Sequence, residues 1–192
     1  MGFQVGVFIG SLSSKSINRK LANSIFRLAK GSNLELTEIP IRDLPLYNHD
    51  FDGKYPPEGA ALKRAVEDVD ALMFVTPEYN RSIPGALKNA IDWGSRPYGK
   101  NSFAKKPSAV IGTSPGAIGT AVGQQHLRSI LSFVNSPELA QPEAYIQFRD
   151  GLFMDDGRVS DKSTEEFLQG WLDAFEVFIG KVTSVNRPLQ TA

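Results

Sequence analysis

Five short apolar runs, each followed by a stretch of helical periodicity, leave this chain few folds to adopt. Phe3 to Ile9 is rich in branched and aromatic residues and reads as a strand buried on both faces. From about Ser16 the residues Ile17, Leu21, Ile25 and Leu28 recur at helical spacing, and Gly31 stops them as a helix terminus would. Leu34 to Ile39 alternates as a second strand; Ala71 to Thr76, Ser108 to Thr113 and Tyr145 to Phe148 supply three more. Helices are predicted at Glu58 to Asp68 and at Pro84 to Trp93, with Pro84 in the first turn. Two more follow, around Leu127, Ile130, Leu131 and Val134, and over a last segment carrying Phe167, Trp171, Phe175 and Ile179. Residues 40–57, punctuated by Pro40, Pro45, Pro56 and Pro57, read as a long surface loop. Parallel strands need crossover connections, so the alternation implies a parallel sheet covered by helices on both faces.

At 192 residues the chain suits one domain, taken as residues 1–185, with a tail from residue 186 expected to be disordered. Five strands at this spacing suit the order 2-1-3-4-5 of a flavodoxin-like three-layer α/β sandwich, whose ligand crevice lies outside the carboxyl ends of strands 1 and 3. Two loops then sit side by side at the crevice, Gly10 to Ser16 and Pro77 to Ser82.

Composition narrows the chemistry. Without cysteine there is no disulfide, thiolate nucleophile or iron–sulfur ligand, and His49 and His126 are too far apart in sequence to read as a metal pair. No metal site is expected. A formal net charge of zero argues against nucleic acid as a partner. No run approaches the roughly 18 apolar residues of a membrane span, and nothing marks the chain for secretion, so a cytoplasmic protein is expected. The zero balance hides a local excess: the first thirty residues contain Lys15, Arg19, Lys20, Arg27 and Lys30 but no acid. An anion near that end and a solvated basic helix face both account for it.

The loop Gly10-Ser11-Leu12-Ser13-Ser14-Lys15-Ser16-Ile17-Asn18 joins the first strand to the first helix. A helix start offers unpaired N–H groups and positive dipole charge, and Ser11, Ser13, Ser16 and Asn18 add donors able to surround a terminal phosphate. Equally, Ser16 can simply cap the helix while the other serines fill a turn. The P-loop pattern fails because Ser14 stands in place of its second glycine, and G-x-G-x-x-G fails at Leu12 and Ser13. A monophosphate suits the loop better than a dinucleotide.

Pro77-Glu78-Tyr79-Asn80 follows the third strand, where a flat heterocycle can lie against exposed backbone. A flavin presents acceptors at N1, O2 and O4 and a donor at N3, which successive amides and Asn80 can meet, while Tyr79 offers a flat surface with a polar tip. A plain proline turn with Tyr79 packed over the sheet is the other reading. Thr113-Ser114-Pro115-Gly116-Ala117-Ile118-Gly119 ends the fourth strand at the same edge, its glycines permitting close backbone approach.

With these residues in view the chain resembles the NADPH-dependent FMN reductase family, in the branch of bacterial quinone and chromate reductases, over about residues 3–180. The most specific part is Pro77-Glu78-Tyr79-Asn80 with Ser82-Ile83-Pro84-Gly85 and Leu87-Lys88-Asn89-Ala90-Ile91-Asp92-Trp93. The resemblance implies FMN phosphate binding by Ser11, Ser13, Ser16, Ile17 and Asn18. It implies a ring against Pro77, Glu78, Tyr79 and Asn80, closed by Ser114, Pro115 and Gly116. NADPH or NADH would deliver hydride to flavin N5, and a quinone, a flavin, an azo dye or an oxidised metal such as chromate would accept it in the same space, with ping-pong kinetics and no catalytic side chain. Arg96 would meet the nucleotide or an anionic acceptor, or serve as a surface or subunit contact. A homodimer or homotetramer is implied, with Trp93, Pro97, Tyr98 and Phe103 as candidate contacts. His126 reads as structural. Thr120 departs from the family's second glycine, and Val122 and Gln125 stand where relatives carry Arg and Tyr. An electron carrier of flavodoxin type, docking to proteins, is the alternative.

Overall fold

The structure, a computed structural model, describes residues 2–186. Its elements alternate as expected: β1 (Phe3–Ile9), α1 (Ile17–Leu28), β2 (Leu34–Glu38), α2 (Pro57–Glu67), β3 (Ala71–Val75), α3 (Gly85–Ser95), β4 (Ser108–Ser114), α4 (Ala121–Phe133), β5 (Ala144–Gln147) and α5 (Lys162–Asn186). The strands form one parallel sheet in the order β2-β1-β3-β4-β5. The tail expected from residue 186 lies outside the described residues, apart from Asn186 at the end of α5. Among the described residues no helix is long and apolar enough to cross a membrane.

Period-two alternation divides the strand side chains between two cores. Val5, Val7, Ile9, Met73, Val75 and Ile111 face α1 and α5, meeting Leu21, Ile25, Trp171 and Phe175. Phe8, Leu72, Phe74 and Val110 face the other layer and pack on Leu62 and Val66 of α2, Leu87 and Ile91 of α3, and Leu127 and Leu131 of α4. Phe8 and Phe74 are register partners whose rings stack with centroids 5.0 Å apart. Burying each such ring contributes roughly 2 kcal/mol, so the β1–β3 pair that carries the crevice is anchored in the core on this face of the sheet.

Three expectations change. Pro84 caps α3 from one residue outside, with ψ 144°, while its carbonyl accepts the first helical N–H, from Lys88 (3.0 Å). Residues 40–57 are not a plain surface loop: they contain a short 3-10 turn at His49–Gly53 and wrap a fully buried Trp93 with Tyr47, Phe51 and Tyr55. Trp93 Nε1 donates to Pro45 O (2.7 Å) and Tyr55 Oη donates to Trp93 O (3.0 Å). Trp93 and Phe103 are therefore core residues and not subunit contacts, whereas Tyr98 is 91% exposed and Pro97 half-buried. The sequence showed aromatic residues near a site; it did not show that the proline-rich loop folds back over one of them.

Candidate functional site

Between β1 and β3 the chain reverses its direction of progress across the sheet, so the loops leaving these strands diverge and leave a crevice at the carboxyl edge. A cleft of about 240 Å³ lies there. Its walls are Ser11, Ser13, Ser16, Ile17 and Asn18 from the first loop, Pro77, Glu78 and Tyr79 from the second, and Ser114 and Pro115 from the third. Lys15 and Thr113 also line it. In the sequence Lys15 stands out only within the basic excess and the first loop, and Thr113 only as the first residue of the third loop.

The first loop is a chain of short serine turns. Ser11 Oγ accepts from Ser13 N–H (3.4 Å), Ser13 Oγ from Lys15 N–H (3.2 Å), and Ser16 Oγ caps α1 by accepting from Arg19 N–H (3.1 Å). In each the oxygen is the acceptor, which leaves the hydroxyl proton to donate. The N–H groups of Ile17 and Asn18 lie in the first turn of α1, where no intrahelical acceptor exists. The set is rich in donors, backed by a helix dipole, and suited to a terminal phosphate.

Asn18 has a different part. Its side chain, 1% exposed, donates from Nδ2 to Thr113 O (2.9 Å) and accepts at Oδ1 from Thr113 N–H (3.0 Å). It is a strut between α1 and the end of β4, which leaves its backbone N–H as the group facing the cleft. The basic excess is also partly committed elsewhere. Arg19 forms a forked pair with Glu38, which raises its already high pKa, and Lys20 pairs with Asp155 (2.9 Å). Lys15 is the basic residue that lines the cleft.

The second loop is a tight hairpin. Tyr79 and Ser82 exchange backbone bonds (2.9 and 3.0 Å), and the two residues between them have positive φ, 52° at Asn80 and 63° at Arg81, the mark of a type I′ turn. Glu78 Oε2 accepts from Gly123 N–H (2.9 Å), and Ser82 Oγ meets His126 Nδ1 (2.8 Å). Pro77 is buried, while Tyr79 is half exposed at the rim. Gly112 lets the second and third loops close up: a Cβ there would stand 2.1 Å from Thr76 O and 2.3 Å from Thr120 Oγ1. Thr120 is thus buried beneath the loops, and its Oγ1 accepts from Gln124 Nε2 (2.9 Å).

Three of the anticipated residues lie off the cleft wall. Asn80 is exposed at the hairpin tip, and Gly116 is exposed beyond Ser114, whose Oγ accepts its N–H (3.2 Å). Arg96 is at the far end of α3, in a groove with Asp92 and Phe133. Helix α3 runs back from the carboxyl edge for 11 residues, at about 1.5 Å each, so Arg96 does not meet a ligand in this subunit's own cleft. Of the two other departures, Val122 is exposed on α4, and Gln125 Nε2 donates to Glu143 Oε1 (3.0 Å) and Tyr145 Oη (2.9 Å).

Comparison with known proteins agrees with this geometry. Residues 3–150 match the family described as NADPH-dependent FMN reductase. A quinone reductase of Pseudomonas putida is 47% identical over 180 residues, 92% of this chain and 95% of that protein. A 2-hydroxy-1,4-benzoquinone reductase of Burkholderia sp is 40% identical over 179 residues, 93% of this chain and 97% of that protein. Among solved structures, FerB, a flavoenzyme NAD(P)H:(acceptor) oxidoreductase from Paracoccus denitrificans, superposes with a TM-score of 0.89 at 47% identity, covering 93% of this chain and 98% of its own. This chain belongs to the NADPH-dependent FMN reductase family, as an oxidoreductase with FMN as its cofactor and NAD(P)H as its electron donor.

Proposed function

We propose that the cleft holds FMN with its phosphate on the first turn of α1 and its ring along Pro77–Asn80, and that the enzyme reduces quinones. The observation that carries this is the meeting, at one switch point, of a donor-rich helix start with a rigid backbone turn. A volume of about 240 Å³ falls just short of the roughly 300–1,000 Å³ of a pocket that encloses a whole small molecule. It suits the phosphate and ribityl chain, with the ring lying on the open rim beside Tyr79 and under Ser114, Pro115 and Gly116.

FMN supplies hydride transfer when bound; the protein supplies position and electrostatics. The serine hydroxyls and first-turn amides hold the phosphate, and the tip amides of Asn80 and Arg81, outside the Tyr79–Ser82 pair, are the hairpin's preorganised donors for the ring's polar edge. The open rim admits donor and acceptor in turn, so initial-rate plots are parallel lines, the sign of a ping-pong order. The relatives' names favour quinones as acceptors; chromate and azo dyes are further acceptors the same open face admits. The flavodoxin-like carrier reading finds less support: a flavodoxin of Pseudomonas aeruginosa shares the fold at 17% identity and a TM-score of 0.60, and this chain lacks the acidic charge such carriers use for docking.

The same reading takes residues 1–185 as one FMN-binding domain, in the cytoplasm, and assembled as a homodimer or homotetramer. In favour of assembly, Phe133 and Tyr98, 88% and 91% exposed, share a groove with Arg96, so Arg96 fits a subunit contact better than a nucleotide contact. The test is spectroscopic. Protein equilibrated with FMN and freed of excess should keep its visible flavin band, and anaerobic NADH or NADPH should bleach it, the ratio of rates naming the preferred donor. A band that neither nucleotide bleaches favours the carrier; protein that retains no flavin overturns the site.

A further inference from the structure

Glu78 belongs to the turn assigned to the ring, yet its carboxylate is committed within the protein. Its side chain is 9% exposed; Oε2 accepts from Gly123 N–H (2.9 Å) and Oε1 meets Arg81 (3.3 Å). Gly123 is the third residue of α4, one of the first-turn positions with no intrahelical acceptor. Thr120, the N-cap of α4, makes no side-chain capping bond. Glu78 therefore does from a neighbouring loop what a capping side chain does locally, and places a negative charge at the positive end of the helix dipole.

The contact is close on both sides. A Cβ on Gly123 would lie 3.1 Å from Ser82 O and 3.2 Å from Glu78 Cγ, so glycine allows the hairpin to rest on the helix backbone. The bond between Ser82 Oγ and His126 Nδ1 (2.8 Å) adds a second tie one turn further along α4. Between the ties sit Asn80 and Arg81 in left-handed conformations, which non-glycine residues keep only where their surroundings over-determine them.

We propose that Glu78 is a positioning residue for the flavin ring and not a ligand of it: by capping α4 it fixes the height and tilt of the 79–82 hairpin. The ring then rests on a surface referenced to α4, and its amides meet the ring with no loop ordering on binding. Paired with the helix terminus and Arg81, the carboxylate also brings little bare negative charge toward a ring that gains electrons. The inference rests on the ring placement proposed above.

The test is FMN titration, the bound-flavin spectrum and steady-state quinone reduction for E78A, E78Q and G123A beside wild type, with thermal melts as a check of folding. E78A should weaken FMN binding about tenfold, as expected for a lost helix cap, shift the bound spectrum and lower kcat. E78Q keeps an oxygen to accept the Gly123 N–H and should lose at most about threefold. G123A keeps Glu78 but pushes the hairpin off α4, and should reproduce the E78A spectrum. E78Q as impaired as E78A, with G123A like wild type, overturns the proposal, because the carboxylate would then act directly on ring or substrate. E78A indistinguishable from wild type overturns it too. Wild-type protein that binds no FMN is a separate result, overturning the ring placement along with what rests on it.

Discussion

The Gly10–Asn18 loop and the Pro77–Ser82 hairpin face each other across one cleft and are held in different ways. In the first, serine oxygens accept the loop's own amides while their protons stay available, so the loop is fixed yet still able to turn donors toward a charge. In the second, Glu78 is bonded to α4, Ser82 to His126, and Asn80 and Arg81 occupy left-handed conformations. One wall recognises by displaying donors and the other by holding a shape. The difference matches two kinds of ligand surface, since a phosphate accepts from many directions while a planar ring needs a fixed plane. Asn18 ties the first wall to the end of β4, where the third loop begins, through its paired bonds to Thr113.

The largest effect should follow from breaking that joint. Asn18→Ala leaves the N–H and C=O of Thr113 buried without their partner, a loss of roughly 3 kcal/mol in unfolding free energy, readable by urea denaturation. Asn18→Asp should be no better: it keeps the acceptor for Thr113 N–H but sets a carboxylate against Thr113 O. A loss under about 1 kcal/mol for Asn18→Ala would mean the first loop is held without its tie to β4 and the strut is incidental.

Ser16→Ala sharpens the contrast with a smaller change. It removes the cap of α1, worth about 1 kcal/mol of stability, and one hydroxyl from the phosphate side. FMN affinity should fall about tenfold, while affinity for riboflavin, which lacks the phosphate, should stay near that of the unaltered protein. Ser16→Thr, which keeps cap and hydroxyl, should recover most of the loss. G123A, acting on the ring side, should weaken both flavins alike. Equal loss of FMN and riboflavin in Ser16→Ala would place the ring, not the phosphate, at the start of α1.

The sheet was legible because Ala71–Val75 is apolar along its length and Phe3–Ile9 nearly so, and a doubly covered parallel sheet buries such runs, while Leu34–Glu38 alternates as an edge strand does. Ser16 was legible as a cap because its partner Arg19 is three residues away. What escaped the sequence is non-local. Asn18 meets Thr113 from 95 positions away, and Glu78 meets Gly123 from 45, so neither bond leaves a spacing to find. Pro40 to Pro57 signalled a loop correctly but gave no sign that Pro45, Tyr47 and Tyr55 close over Trp93. Arg96, which the sequence leaves open between a ligand and a subunit contact, follows the motif closely in the chain, while α3 carries it to a groove with Asp92 and Phe133.

The smallest effect tests what holds the hairpin's shape. Arg81→Gly relieves a left-handed φ of 63°, a gain of about 1 kcal/mol, and gives back a comparable amount through the greater entropy of glycine in the unfolded chain. It also removes the pair with Glu78, whose arginine side is 69% exposed and whose contribution is therefore small. The sum should lie within about 0.5 kcal/mol of zero. Arg81→Ala, which keeps the strain and loses the pair, should fall slightly below it. A loss beyond about 1 kcal/mol in Arg81→Gly would show that the ion pair, and not the conformation set by Glu78 on α4, keeps the hairpin in place. The ring-side wall would then be held by surface charge, its FMN affinity would fall with added salt, and the contrast between the two walls would lose its basis.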